Sequence, residues 1–160
     1  MEEISLNQIL EQIALFLFAY LYQSFIYVFG IHLFSKHQIK WKPFFICAAA
    51  SMAITYFVRI FLTFGNHTLF SLIFLIILSI ILLKIPAQKA VKSALFIAII
   101  TFIFEGAIFF VFSAFIGIDP FKKFLETNLG KISIGLLCNV MLTIFLLLMY
   151  FYKKRNKKLS

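Results

Sequence analysis

Five stretches of this chain, residues 9–34, 44–64, 68–83, 93–117 and 132–152, are apolar over a length that water does not tolerate on a folded surface. A spanning helix needs about 20 mostly apolar residues, because about 30 Å of hydrocarbon divides by a rise of about 1.5 Å per residue. In lipid every backbone N–H and C=O must be satisfied within the segment, so such stretches can only be helices. The third is short and must borrow its ends, with Lys84 snorkelling outward. The expected fold is therefore an all-α, polytopic membrane bundle of five transmembrane helices, a single domain over residues 1–152 followed by a basic tail, 153–160. Composition excludes the soluble alternative: 63% of the 160 residues are hydrophobic and 13% charged, against about 45–50% and about 25% in soluble domains.

The connections set the direction. The start carries Glu2, Glu3 and Glu11 and no cation, whereas the first connection holds Lys36, Lys40 and Lys42. The turn Gly65, Asn66, His67 has no Lys or Arg; the next connection has Lys84, Lys89 and Lys92; the tail has Lys153, Lys154, Arg155, Lys157 and Lys158. Cations mark the cytoplasmic side, so the alternation predicts N-terminus out and C-terminus in, in a bacterial plasma membrane. Residues 118–131 mix Lys122, Lys123 and Lys131 with Asp119 and Glu126 and belong outside. The acidic start does not read as a cleavable signal, whose n-region is positive. Ser5 and Gln8 have capping-box spacing, so the first helix is expected to begin in the outer interface. After Gly117, Asp119 and Pro120 read as N-cap and first turn, and Phe121, Phe124, Leu125 and Leu129 recur at helical spacing. Gly130 reads as a stop. These features predict a short amphipathic helix on the outer surface.

An ionisable side chain in hydrocarbon is costly and points to a site. Glu105 lies halfway along the fourth span, about 18 Å from either end. The span's Leu, Ile, Val and Phe residues, at about 0.3–0.6 kcal/mol each, outweigh the about 2.5–3.5 kcal/mol of a central acid, so insertion permits Glu105 without explaining it. Two readings stand: a ligand- or proton-responsive carboxyl, or a protonated one holding helices together. Ala94, Ala98, Thr101 and Glu105 share a helical face, as do Ala48, Met52, Thr55 and Arg59. If those faces meet, Arg59 reaches Glu105; otherwise it snorkels outward. Tyr20, Gln23 and Tyr27 in the first span and Asn139 in the fifth add polar groups, read either as interhelical hydrogen bonds or as the lining of a shared cavity.

Catalytic signatures are missing. The six glycines are isolated and form no phosphate loop, and no G-x-S-x-G, H-E-x-x-H or paired-cysteine motif occurs. The expectation is a protein without enzymatic activity and without a cofactor. His32, His37 and His67 are scattered, and Cys47 and Cys138 sit inside apolar stretches, so no metal site is expected. The net charge of +9 is spread over connections and tail as a topology signal, so the bilayer and not nucleic acid is the expected partner.

The run LFSLIFLIILSIILLKIPAQKAVKSALFIAIITFIFEGAIFF, residues 69–110, joins an apolar span, a basic turn with Pro86 and Lys89, and a span with a central Glu105. With the tail GLLCNVMLTIFLLLMYFYKKRNKK, this layout resembles the N-terminal membrane sensor region of Agr-type quorum-sensing histidine kinases and their GHKL relatives in Firmicutes. The likeness covers about the last 90 residues. It implies a receptor for an extracellular peptide, with Asn66, His67, Phe121 and Phe124 facing the ligand and Glu105 organising the bundle. Such kinases continue into a catalytic region, whereas this sequence stops at Ser160, so signalling would pass through a membrane or cytoplasmic partner. A small carrier, or the substrate-binding subunit of a transporter with its carboxyl at the midplane, is the alternative. A passive partner protein is a third.

Overall fold

The computed structural model describes residues 10, 13, 15–61 and 66–157. Among them there are six α-helices and no strand. A π-helical stretch, Leu15–Leu21, leads into α1 (Tyr22–Ser35); α2 (Trp41–Phe61), α3 (Asn66–Ile81) and α4 (Ala87–Ile116) follow. The short α5 (Ile118–Glu126) and the long α6 (Asn128–Lys157) complete the chain. A helix covers most of each of the five apolar stretches. Three segments, Trp41–Val58, Ala87–Ile116 and Asn128–Arg155, are long and apolar enough to cross a membrane, and Phe70–Ile81 forms a shorter apolar helix. The proposed cap at Ser5 and Gln8 lies outside the described residues.

α1 and α3 end where the sequence removes apolar character and supplies a residue of positive φ. Lys36 closes α1 with φ 55° and ψ 29°, and Lys84 beyond α3 also has φ 55°. Glycine is the usual residue in that conformation. Lysine carries its own compensation, a positive charge beside the negative end of the helix dipole. Pro86 then stands at the N-cap of α4, where its missing N–H and fixed φ cost nothing.

α1 is the centre of the bundle. It packs against α2, α4 and α6 and touches α3, while α3 fills the space between α2 and α4. Its buried side, Ile26, Val28 and Ile31, meets Ile97 and Ala94 of α4, Cys47 and Ala48 of α2, and Leu142 and Leu146 of α6 in one apolar core. Gly30 is what lets α4 come so close: a Cβ there would stand 2.8 Å from Ile97 Cδ1 and 3.4 Å from Leu146 Cδ1. Small residues at such crossings replace the hydrophobic drive that lipid does not supply.

The lysines of the first connection, of the connection before α4 and of the α6 tail gather at one end of the bundle. Lys153 Nζ donates to the Leu33 carbonyl at 2.9 Å and sits 4.9 Å over the Phe34 ring, and Phe34 meets Phe96 edge-on at 4.5 Å. The C-terminal ends of α1 and α6 and the N-terminal part of α4 are thereby tied together. α5 lies at the opposite end, against α4 and α6.

Candidate functional site

Two polar threads cross the middle of the bundle. In one, Gln23 Nε2 donates to the Tyr27 hydroxyl at 3.1 Å, Tyr27 donates to Thr101 Oγ1 at 3.2 Å, and Thr101 donates to the Ile97 carbonyl at 2.9 Å. In the other, the hydroxyls of Tyr22 and Thr143 lie 2.9 Å apart, and Thr143 donates to the Asn139 carbonyl at 2.8 Å. Thr143 has a single proton, given to that carbonyl, so Tyr22 is the donor between the two. The first thread joins α1 to α4 and the second joins α1 to α6. Each ends on a backbone carbonyl with every hydroxyl proton committed, the arrangement of an interhelical tie.

Asn139 is buried at 3% exposure on the side of α6 that carries Cys138 and Leu142. Glu105 stands one turn beyond Thr101. The structure joins Gln23, Tyr27 and Thr101 in one thread and places Asn139 beside the other, through its backbone carbonyl. Tyr22 and Thr143 are members that the sequence reading missed. Thr143 follows Asn139 by one turn, and that spacing is the signal that could have found it.

Two expectations change. The face Ala94, Ala98, Thr101 is buried, but Glu105 at its end is exposed. Beyond Thr101 the crossing with α1 is left behind, and a Cβ added at neighbouring Gly106 would find nothing within 4 Å. The Ala48 face and the Ala94 face do not meet, because α2 and α4 share no contact and α1 and α3 lie between them. The side chains of Arg59, Asn66 and His67 lie outside the described residues. Tyr20, in the π-helical stretch, packs with Phe16, Met52 and Ile132 and stands edge-on to Tyr56 at 6.1 Å.

At the end away from the basic tail, α5 is the amphipathic helix that the spacing predicts. Phe121 is buried at 1% exposure, stacked on Phe112 at 5.6 Å and tilted against Phe109 at 5.6 Å. Asp119, Lys122, Lys123 and Glu126 are exposed and Phe124 is half-buried. Asp119 is not the N-cap: Gly117, at φ 92°, holds that position, and Asp119 falls in the first turn, where its charge suits the dipole. Nor does Gly130 stop a helix. α5 ends at Glu126, and Thr127 caps both neighbours, donating to the Phe124 carbonyl at 2.7 Å and accepting from the Gly130 N–H at 3.0 Å. Gly130 lies in the first turn of α6 because a Cβ there would collide with the Phe124 carbonyl.

Cys47 and Cys138 are both buried free thiols, and no cluster of three or more His, Cys, Asp or Glu residues occurs among the described residues. Set beside known proteins, the chain matches no family model, no curated sequence and no solved structure.

Proposed function

We propose that this chain is a non-catalytic, five-span protein of the bacterial plasma membrane, N-terminus out and C-terminus in, acting as a sensor-like module for an extracellular peptide. The observation that carries the reading is α5. It is an amphipathic strap at the end opposite the first connection, the connection before α4 and the basic tail, pinned by Phe121 to α4 and capped through Thr127 onto α6. A ligand that lifts or seats this strap acts on two helices at once. Both run the length of the bundle, and α6 leads directly into the basic tail where a partner would read the change. The exposed side of α5, with Phe124 at its margin, and the turn at Asn66 and His67 are the surfaces assigned to the peptide. The layout likeness to Agr-type sensor regions supports the same reading.

The carrier reading is favoured by one observation of its own, the Tyr27–Thr101 hydrogen bond in the middle of the bundle with Glu105 one helical turn beyond it. Mild-detergent purification of the tagged protein from its native membrane, with mass spectrometry of what stays attached, separates the two. A co-purifying kinase or peptide-processing enzyme, together with peptide-dependent thermal stabilisation, supports the sensor. An attached ATPase assembly, or pH-dependent uptake into vesicles, rejects it in favour of the carrier. Labelling of single cysteines placed at Lys40, Lys89, Lys123 and Lys154 tests the topology. Five spans require Lys123 on the outer side and the other three inside.

A further inference from the structure

We propose that the gap between α2 and α6 is a binding site for one anionic phospholipid, with an acyl chain in the gap and the headgroup phosphate held by Lys40, Lys42 and Lys154. The gap exists because α2 and α6 both pack on α1 but not on each other. It is a cleft of about 280 Å3 whose floor is Phe25 and Phe29 of α1 and whose walls are Phe44 of α2 and Thr143, Leu146 and Leu147 of α6. That volume lies just below the about 300–1,000 Å3 of small-molecule pockets. The one polar side chain among these, Thr143, has its hydroxyl committed to Tyr22 and to the Asn139 carbonyl, so the cleft offers an occupant apolar surface alone.

The chemistry above the cleft is of the opposite kind. Lys40 and Lys42 precede Phe44 by one turn or less, and Lys154 follows Leu147 by seven residues, two turns along the same face of α6 and about 10 Å away. All three are exposed. The described carboxylates, Glu105, Asp119 and Glu126, all lie far from this end, on the outer half of α4 and on α5. Between cations and cleft runs a belt of aromatics: Trp41, 66% exposed, is stacked on Phe45 and edge-on to Phe44, and Tyr150 and Tyr152 are exposed on α6. Trp and Tyr seek the headgroup level, which sets the depth: hydrocarbon in the cleft, phosphate at the lysines. A cationic rim over an apolar slot complements a phospholipid carrying net negative charge, and a zwitterionic lipid would gain only the slot.

Trp41 is the sole tryptophan in the chain, so its fluorescence reports on the mouth of the cleft. The full-length protein is reconstituted into vesicles of phosphatidylcholine containing a low fraction of phosphatidylglycerol, with bromine on the acyl chains of one lipid or the other. At equal mole fraction the brominated phosphatidylglycerol is expected to quench Trp41 more strongly. Lys40→Gln with Lys42→Gln should lower that preference about fivefold for each charge removed, and Leu147→Phe, which fills the cleft at an exposed position, should lower it with all the lysines in place. Circular dichroism confirms that the variants keep their helices. Equal quenching by the two lipids in the unaltered protein overturns the proposal. So does a preference that the lysine variants lose and Leu147→Phe keeps, since that is attraction of a diffuse lipid layer to a positive surface.

Discussion

Replacing Gly130 with alanine should destabilise this protein, against the usual sign for a glycine in a helix. Alanine in a helix interior is ordinarily favoured over glycine by about 0.8–1.0 kcal/mol, and at Gly106, where a Cβ meets nothing within 4 Å, the substitution should cost nothing and gain up to that amount. At Gly130 the same methyl group runs into the Phe124 carbonyl and lies 2.7 Å from its carbon, atoms of backbone that cannot rotate away. Overpacking of this kind costs about 1–3 kcal/mol. Relief by opening the turn loses the Thr127 bond to the Gly130 N–H, a helix cap worth about 1 kcal/mol. Because Gly130 lies in the first turn of α6 and not in a helix interior, little of the helix gain applies, and the expected net loss for Gly130→Ala is about 1–3 kcal/mol. Unfolding of both variants in a mild detergent titrated with a denaturing one, followed by far-ultraviolet circular dichroism, gives the two shifts side by side. A Gly130→Ala protein as stable as the unaltered one, or a Gly106→Ala protein that loses as much, would show that the turn between α5 and α6 is not closed as described.

The crossing of α1 and α4 makes a second case: Gly30→Ala and Ile97→Val should each destabilise alone. The double variant should cost less than their sum, because valine lacks the Cδ1 that lies 2.8 Å from the new methyl group; strict additivity in the same unfolding assay would contradict the close contact. A double-mutant cycle of Tyr27→Phe with Thr101→Val should give a coupling of about 0.6 kcal/mol, the average for a hydrogen bond between membrane helices, and a value near zero would mean that the 3.2 Å bond does not hold α1 to α4. Cys47 and Cys138, at 0% and 4% exposure, should resist a maleimide in mild detergent and react in a denaturing one; rapid labelling of the folded protein would show that the core opens.

Which parts of the fold could be read in advance follows from the solvent in which each part is decided. Runs such as residues 93–117 and 132–152 dictate helix because no other backbone arrangement satisfies its own polar groups in hydrocarbon. The amphipathic strap was legible for a different reason. At an interface the two sides of a helix meet different solvents, so Phe121 and the charges around it carry the pattern openly. The hydroxyl threads were half legible: Gln23, Tyr27 and Asn139 stand out as polar residues in apolar surroundings, while Tyr22 and Thr143 are mild enough to pass as ordinary.

What stayed hidden is the choice of faces. In a soluble helix the apolar side is the buried side, but α4 is apolar all round, with exposed Phe102, Ile103 and Phe110 as hydrophobic as buried Ile97, Ile100 and Ile108. Periodicity alone therefore cannot say which side meets a neighbour. Backbone geometry decided the rest: the carbonyl of Phe124 gave Gly130 its place. The amino-acid order thus determined by itself that the chain is a set of apolar helices with most of its cations in the first connection, the connection before α4 and the tail. Only the tertiary structure placed α1 at the centre, kept the small face of α2 from that of α4, and left the carboxyl of Glu105 exposed, because those outcomes depend on where small side chains let helices cross.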